Sequence, residues 1–427
     1  MVKEKLFFRI AAIGLLLLLL ILSSALFRPA YCPASDAGQL YEKMVSLEKE
    51  GRYDESAGTA AELIALAPQN DLYLAYASHV ENLAGYYDRG LEHALAAIRI
   101  NSAVPWYYAS AAFNAYGAGE IETARLYCRK VLQYGAAQAG EGNVNSAGAI
   151  LENMKERHYT ITWNLDPSKG VAADGWYYIP TPTSGLPCQD SSFNVKGASE
   201  KKLVASEGNT LLYFRPAGGG SVTMTASAAV KPYSFKKRLA EHSRSEEIPD
   251  EARIYLGSSE GINPQSPALS GIVGSLKSPD RLKTVMNILK WMKSNISYKI
   301  EDFRNVEEII DRGYGECGCW SALFTALCRS AGIPARIIWG VVLDRTPDHS
   351  FAPEGHMKGH AWAEFYIGGV GWVPVEPQHM PTVGLLPTSY VRMYHCEMKS
   401  RHWTAENFRA SDNMVIMGGD TPGYSEK

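Results

Sequence analysis

At 427 residues the chain is too long for one ordinary hydrophobic core, and two or three domains are expected. Its 42 basic and 45 acidic residues give a net charge of −3, with no long run of either sign, which argues against nucleic acid as a partner. Seven cysteines, at positions 32, 128, 188, 317, 319, 328 and 396, are too sparse for a disulfide framework, and their odd number permits a free thiol.

The chain opens with Lys3, Lys5 and Arg9, followed by an uncharged apolar stretch from Ile10 to Phe27. As a helix this stretch is about 27 Å long, close to a bilayer core of about 30 Å. It reads as a signal peptide or as an uncleaved anchor over residues 1–34, with the basic flank inside. Either way the remainder is expected outside the cytoplasm, membrane-anchored or secreted.

Gly51, Gly85 and Gly119 recur at a spacing of 34 residues, and each sits in a similar phrase. Ala60 and Ala94 share one column of this register, and Ile64, Ile98 and Leu132 another. Small residues let helices approach, and the large ones fill the next groove. The pattern resembles tetratricopeptide repeats, and the resemblance implies stacked helix pairs that bind peptides or protein partners. The repeats are placed within residues 35–158, with 143–158 as a capping helix.

From Tyr159 the period changes to two: Tyr159, Ile161, Trp163 and Leu165 alternate with polar residues, as in a half-buried strand. Segments 210–214 and 221–225 flank Gly218-Gly219-Gly220 and predict a hairpin. Residues 159–245 are therefore expected to form a small antiparallel β domain, sandwich-like, serving as a spacer or docking module. Helical spacing returns over 280–296 and 318–330, and strand-like runs follow at 335–343, 360–367 and 371–375. Helices followed by an antiparallel sheet predict an α+β domain over 250–427.

Chemistry concentrates in this last region. Cys317 falls at the start of a helix between Gly315 and Gly318, where unsatisfied N–H groups and the macrodipole favour a thiolate. A thiolate needs a proton-accepting partner, itself oriented by a third group. His360 and Glu376 lie on two strand-like runs joined by a glycine-rich loop. A turn centred on Gly368 puts them face to face, about 5 Å apart at Cβ, so a loop of odd length is expected. Cys319 and Cys328 read as structural, and Arg336 as a member of an ion pair. Trp320 and Trp362 read as core aromatics, either of which could flank an acyl site as a substrate contact. His356 and His360 have zinc-helix spacing, but Gly359 breaks the helix and no acidic residue lies between them. No metal or other cofactor is expected.

The phrases Gly315-Glu316-Cys317, Gly332-Ile333-Pro334-Ala335-Arg336, His360-Ala361-Trp362 and Gly371-Trp372-Val373-Pro374-Val375-Glu376-Pro377 resemble the transglutaminase-like superfamily over residues 270–380. The resemblance implies a transglutaminase/papain-like core in which Cys317 is the nucleophile and His360 its acid–base partner. The family's third member is usually Asp, and Glu376 stands in its place. What is implied is a cysteine enzyme acting on peptide or glutamine amide bonds through a thioester, as a protease, amidase or cross-linking enzyme. Two alternatives stay open: a catalytically retired scaffold binding protein partners through its repeats, and a structural assembly factor of the cell envelope.

Overall fold

The computed structural model of the chain describes residues 36–165, 177–206, 209–218, 222–259, 261–301, 303, 305–343, 354–378, 383–396, 409–410, 414–415 and 423–426. The N-terminal apolar segment, read above as signal or anchor, lies outside the described residues. Among those described, no helix is long and apolar enough to cross a membrane. The chain divides into two compact units, residues 1–152 and 153–427.

The first unit is helical. Its helices are α1 (Asp36–Lys49), α2 (Tyr53–Leu66), α3 (Asp71–Leu83), α4 (Tyr87–Ile100), α5 (Pro105–Gly117), α6 (Ile121–Ala139) and α7 (Glu141–Asn153). The 34-residue period has a simple local cause. Gly51, Gly85 and Gly119 all have φ between 74° and 78°, in the left-handed region that glycine tolerates best. Each donates its N–H three residues back, to Glu48, Asn82 and Tyr116 respectively. Each therefore ends one helix and turns the chain into the next. Ala60 and Ala94 are fully buried, as close helix approach requires. Ile64 and Ile98 pack against the cores between pairs. Leu132, in the same column, is 40% exposed; the column stops burying its large residue in the third repeat. The repeats are tetratricopeptide-like.

The second unit is α+β. It begins with β1 (Arg157–Leu165), β2 (Tyr177–Pro180), β3 (Gln189–Lys196), β4 (Ala198–Ser206), β5 (Asn209–Pro216) and β6 (Val222–Val230). β5 pairs with β2 and β4, whereas β6 pairs with β1 and β3. The hairpin expected across Gly218-Gly219-Gly220 is thus replaced by a crossover between two sheets. Leu212 and Phe214 of β5 share one core with Val222, Met224 and Ala226 of β6, so the strands meet face to face rather than edge to edge. Burying both apolar faces against each other is what a sandwich does.

The helices α8 (Lys236–His242), α9 (Asp250–Arg253), α10 (Pro267–Leu276) and α11 (Arg281–Asn295) follow, then strand β7 (Ser297–Tyr298), helix α12 (Val306–Arg312), strand β8 (Tyr314–Gly315) and helix α13 (Cys317–Ser330). The chain then forms β9 (Ala335–Leu343), β10 (Glu354–Ile367), β11 (Gly371–Val375) and β12 (Tyr390–Cys396). Two-residue strands β13 (Arg409–Ala410) and β14 (Met414–Val415) precede β15 (Gly423–Glu426). One sheet runs β12-β9-β10-β15-β1-β6-β3, with β11 on β10. Strands β1, β3 and β6 from the first half of this unit therefore share a sheet with β9, β10, β11, β12 and β15 from the second.

Along β10 the period of two sorts the side chains. Ala361, Ala363, Phe365 and Ile367 enter the main core with Leu323, Phe324 and Leu327 of α13. The alternating His360, Trp362 and Glu364 gather with residues of β12, and all three are buried. This alternation brings a titratable row into the interior.

Candidate active site

The site starts from backbone pairing. β7 and β8 pair in parallel: Ser297 N–H donates to the Gly313 carbonyl (2.8 Å) and Lys299 N–H to that of Gly315 (3.1 Å). The strand β8 thereby delivers the chain to the first residue of α13, Cys317. Gly315 must be glycine here, because a Cβ would meet Cys319 Cβ at 2.3 Å. Glu316 takes the N-cap position in an extended conformation, without a side-chain cap bond. Its backbone carbonyl accepts from Trp320 N–H, and its carboxylate is left to meet the thiols.

That carboxylate governs the sulfur. Cys317 Sγ donates to Glu316 Oε2 at 3.0 Å, and Cys319 Sγ lies 3.8 Å from Oε1 of the same group. The Cys317 thiol is pushed well above the usual range by burial, and then by the charge and hydrogen bond of Glu316; the Ala361 amide beside it pulls weakly the other way. A helix N-terminus was expected to make this thiol easy to ionise. Its contribution is about 0.3–1 kcal/mol at a surface, too little to outweigh burial next to a carboxylate. Among the described residues, the sulfur's side-chain hydrogen bond is to Glu316 and not to His360.

His360 and Glu376 meet as expected, by a different route. The loop between β10 and β11 is residues 368–370, odd in length, but it centres on Gly369 (φ 76°) rather than Gly368. Ala363 pairs with Val375 and Ile367 with Gly371, so Glu376 falls diagonal to His360 rather than opposite it. An even shift keeps both on one face. His360 Nε2 and Glu376 Oε2 are 2.6 Å apart, and both side chains are less than a tenth exposed. With Nε2 held by the carboxylate, Nδ1 is the ring nitrogen that faces away from Glu376.

Two further groups hold the carboxylate, and the sequence did not reveal them. Tyr390 of β12 donates its hydroxyl to Glu376 Oε2 (3.0 Å), and Gln378 N–H donates to Oε1 (3.0 Å). Tyr390 also packs edge-on against the His360 and Trp362 rings. No local signal marks Tyr390, since the segment before its strand is irregular. Glu316 was readable as part of the motif, but its hold on the thiol depends on three-dimensional placement.

Trp320 is 4% exposed within the main core and offers no surface to a substrate. Trp362 is 1% exposed and stacks on His360, with ring centroids 6.2 Å apart; it supports the ring from behind. Cys319 and Cys328 are buried thiols, and burial raises both, Cys319 to about 12. Arg336 forms the expected ion pair, with Glu364 at 2.7 Å. Among the described residues no group of three His, Cys, Asp or Glu side chains could hold a metal ion.

Comparison with known proteins places this geometry in a family context. Residues 270–377 match the model of the transglutaminase-like superfamily. An uncharacterized protein of Haemophilus influenzae is 37% identical over 87 residues, covering 17% of this chain and 24% of that relative. The match therefore spans about a quarter of the relative's length. A proposed cysteine protease from Cytophaga hutchinsonii is similar in structure, with 16% identity, TM-score 0.40, 64% of this chain covered and 98% of that one. The Sgt2 TPR domain of Aspergillus fumigatus is similar over 29% of this chain and 83% of its own, with 11% identity and TM-score 0.26.

Proposed function

We propose that this chain is an exported or membrane-anchored cysteine enzyme that acts on peptide or glutamine amide bonds through a thioester. The observation that carries the reading is the buried His360–Glu376 pair at 2.6 Å, with Cys317 opening α13 beside the Ala361 amide.

The chemistry follows from these groups. The sulfur turns from Glu316 to His360, whose Nδ1 takes the thiol hydrogen as Sγ attacks the substrate carbonyl carbon. The Cys317 N–H, at the start of the helix, is proposed as a donor to the developing oxyanion. When the C–N bond breaks, His360 passes that proton to the departing amine, leaving a thioester on Sγ. Water then gives hydrolysis and an amine gives cross-linking, with His360 taking the second proton and returning it to sulfur. Glu376 fixes the ring and stabilises its protonated form throughout. The helical repeats are proposed to hold a protein partner or substrate, and the N-terminal apolar segment to deliver the rest of the chain outside the cytoplasm.

The test is incubation of the full-length protein with cell-envelope extract while ammonia, new N-termini and cross-linked products are followed together. Activity that vanishes in Cys317→Ala supports the reading, and its nature identifies the acceptor. A second reading, a retired scaffold, is favoured by the protonated thiol resting on Glu316. It predicts no product of any kind, and partner binding unchanged in Cys317→Ala.

A further inference from the structure

Behind the His360 row lies a cavity of about 230 Å³, walled by Trp362, Trp372, Tyr390, Arg336, Arg392 and Glu364. Its charges do not balance. Glu364 Oε2 accepts from Arg336 Nε and Nη2 at 2.8 and 2.7 Å, and its Oε1 accepts from Arg392 Nε at 3.1 Å. The three side chains are 11%, 8% and 7% exposed for Arg336, Arg392 and Glu364 respectively. Among the described residues the ion pairs of both arginines end on this one carboxylate. Lys231 and Arg238, both exposed, add further positive charge to the cavity wall. Burying a net cation is costly in a low dielectric, and an anion brought alongside removes that cost.

The remaining walls are apolar and aromatic. Trp372 lies flat beneath Arg336, whose guanidinium carbon is 3.8 Å from the ring centroid. Because Glu364 takes Nε and Nη2, the nitrogen left for an entering carboxylate is Nη1, a charged donor suited to an anionic oxygen. We infer that this cavity is a binding site for a small organic anion, a carboxylate carried on an aromatic or branched apolar group. The inference does not depend on the acyl-transfer reading, although Trp362 and Tyr390 belong both to the cavity wall and to the packing around His360.

Calorimetric titration of the full-length Cys317→Ser protein tests it and keeps it separate from catalysis. The probes are phenylacetate, phenylacetamide and phenethylamine. Phenylacetate is expected to bind, with the amide and the amine weaker by about ten-fold or more, as loss of a charge-assisted hydrogen bond dictates. The tripeptide Ala-Ala-Phe and its carboxamide distinguish the source: tighter binding of the acid tripeptide than of phenylacetate assigns a peptide C-terminus, and weaker binding assigns a free acid. Arg336→Gln should weaken phenylacetate by about ten-fold. Since this variant alters a buried pair, the double variant Lys231→Gln/Arg238→Gln, at exposed positions, provides a second reading and should weaken it by about two- to three-fold. No phenylacetate binding by natively folded protein, equal binding of phenylacetamide, or unchanged affinity in both folded variants overturns the assignment.

Discussion

His360 and Glu376 touch across a diagonal of the β10–β11 hairpin, not across a rung. Directly opposed residues lie about 5 Å apart at Cβ and diagonal ones about 7–8 Å, and the extra methylene of glutamate covers that difference to reach 2.6 Å. The family's usual aspartate is the shorter side chain at this position. Glu376→Asp should therefore lower turnover by about ten-fold or more, and Glu376→Ala by about 10²–10⁴-fold, with smaller changes in KM. Steady-state kinetics on the substrate found with envelope extract checks this. Unimpaired turnover in Glu376→Asp would refute the reach argument.

Glu316 makes a prediction of opposite sign. Its charge and hydrogen bond both hold the Cys317 thiol protonated, after burial has already raised it. Removing the charge in Glu316→Gln favours the thiolate, so the pH at which iodoacetamide labels Cys317 should fall, with Cys317→Ala as the unlabelled control. Wild-type protein without substrate should label only at alkaline pH. A profile that stays in place in Glu316→Gln would show that the carboxylate does not control the sulfur.

Acid sensitivity of the fold should centre on Glu364. Burial alone raises its pKa, but the charges of Arg392 and Arg336 prevail and bring it from 4.5 down to about 2. A group with a depressed folded pKa binds its proton more readily unfolded, so its stabilisation is complete above about 4.5 and is lost as pH falls through about 2. The contribution is up to about 3 kcal/mol. Urea unfolding between neutral pH and pH about 2 should show this loss in wild type and much less of it in a folded Glu364→Gln variant.

In the repeats, Gly90 is packed so closely that a Cβ would come within 2.2 Å of Asn114 Oδ1. Asn114 Nδ2 in turn donates to Ser78 Oγ at 3.0 Å and to the Ser110 carbonyl at 3.0 Å. Gly90→Ala must displace this buried amide and should destabilise the helical unit by about 1–3 kcal/mol, despite the better helix propensity of alanine. Thermal unfolding followed by circular dichroism reads the change, and a stabilised variant would contradict the packing.

What the sequence disclosed was what local rules encode. Glycines at a 34-residue period announced the turns between helix pairs because left-handed backbone needs them. The glycine-rich loop after Ile367 announced a hairpin, and parity alone placed His360 and Glu376 on one face. The run Gly218-Gly219-Gly220 misled, because a turn signal does not say whether the next strand pairs with the last or crosses to another sheet. Tyr390 was invisible for a related reason: its bond to Glu376 joins strands that are not neighbours in the sheet. The resting partner of the sulfur could not be read at all, since burial and one adjacent carboxylate decide it after the chain has folded.

The parallel pairing of Ser297-Tyr298 with Tyr314-Gly315 fixes where α13 begins, and it does so with amides and carbonyls. Those atoms belong to every amino acid but proline, so the place of the sulfur is insulated from most side-chain replacements in the surrounding helices.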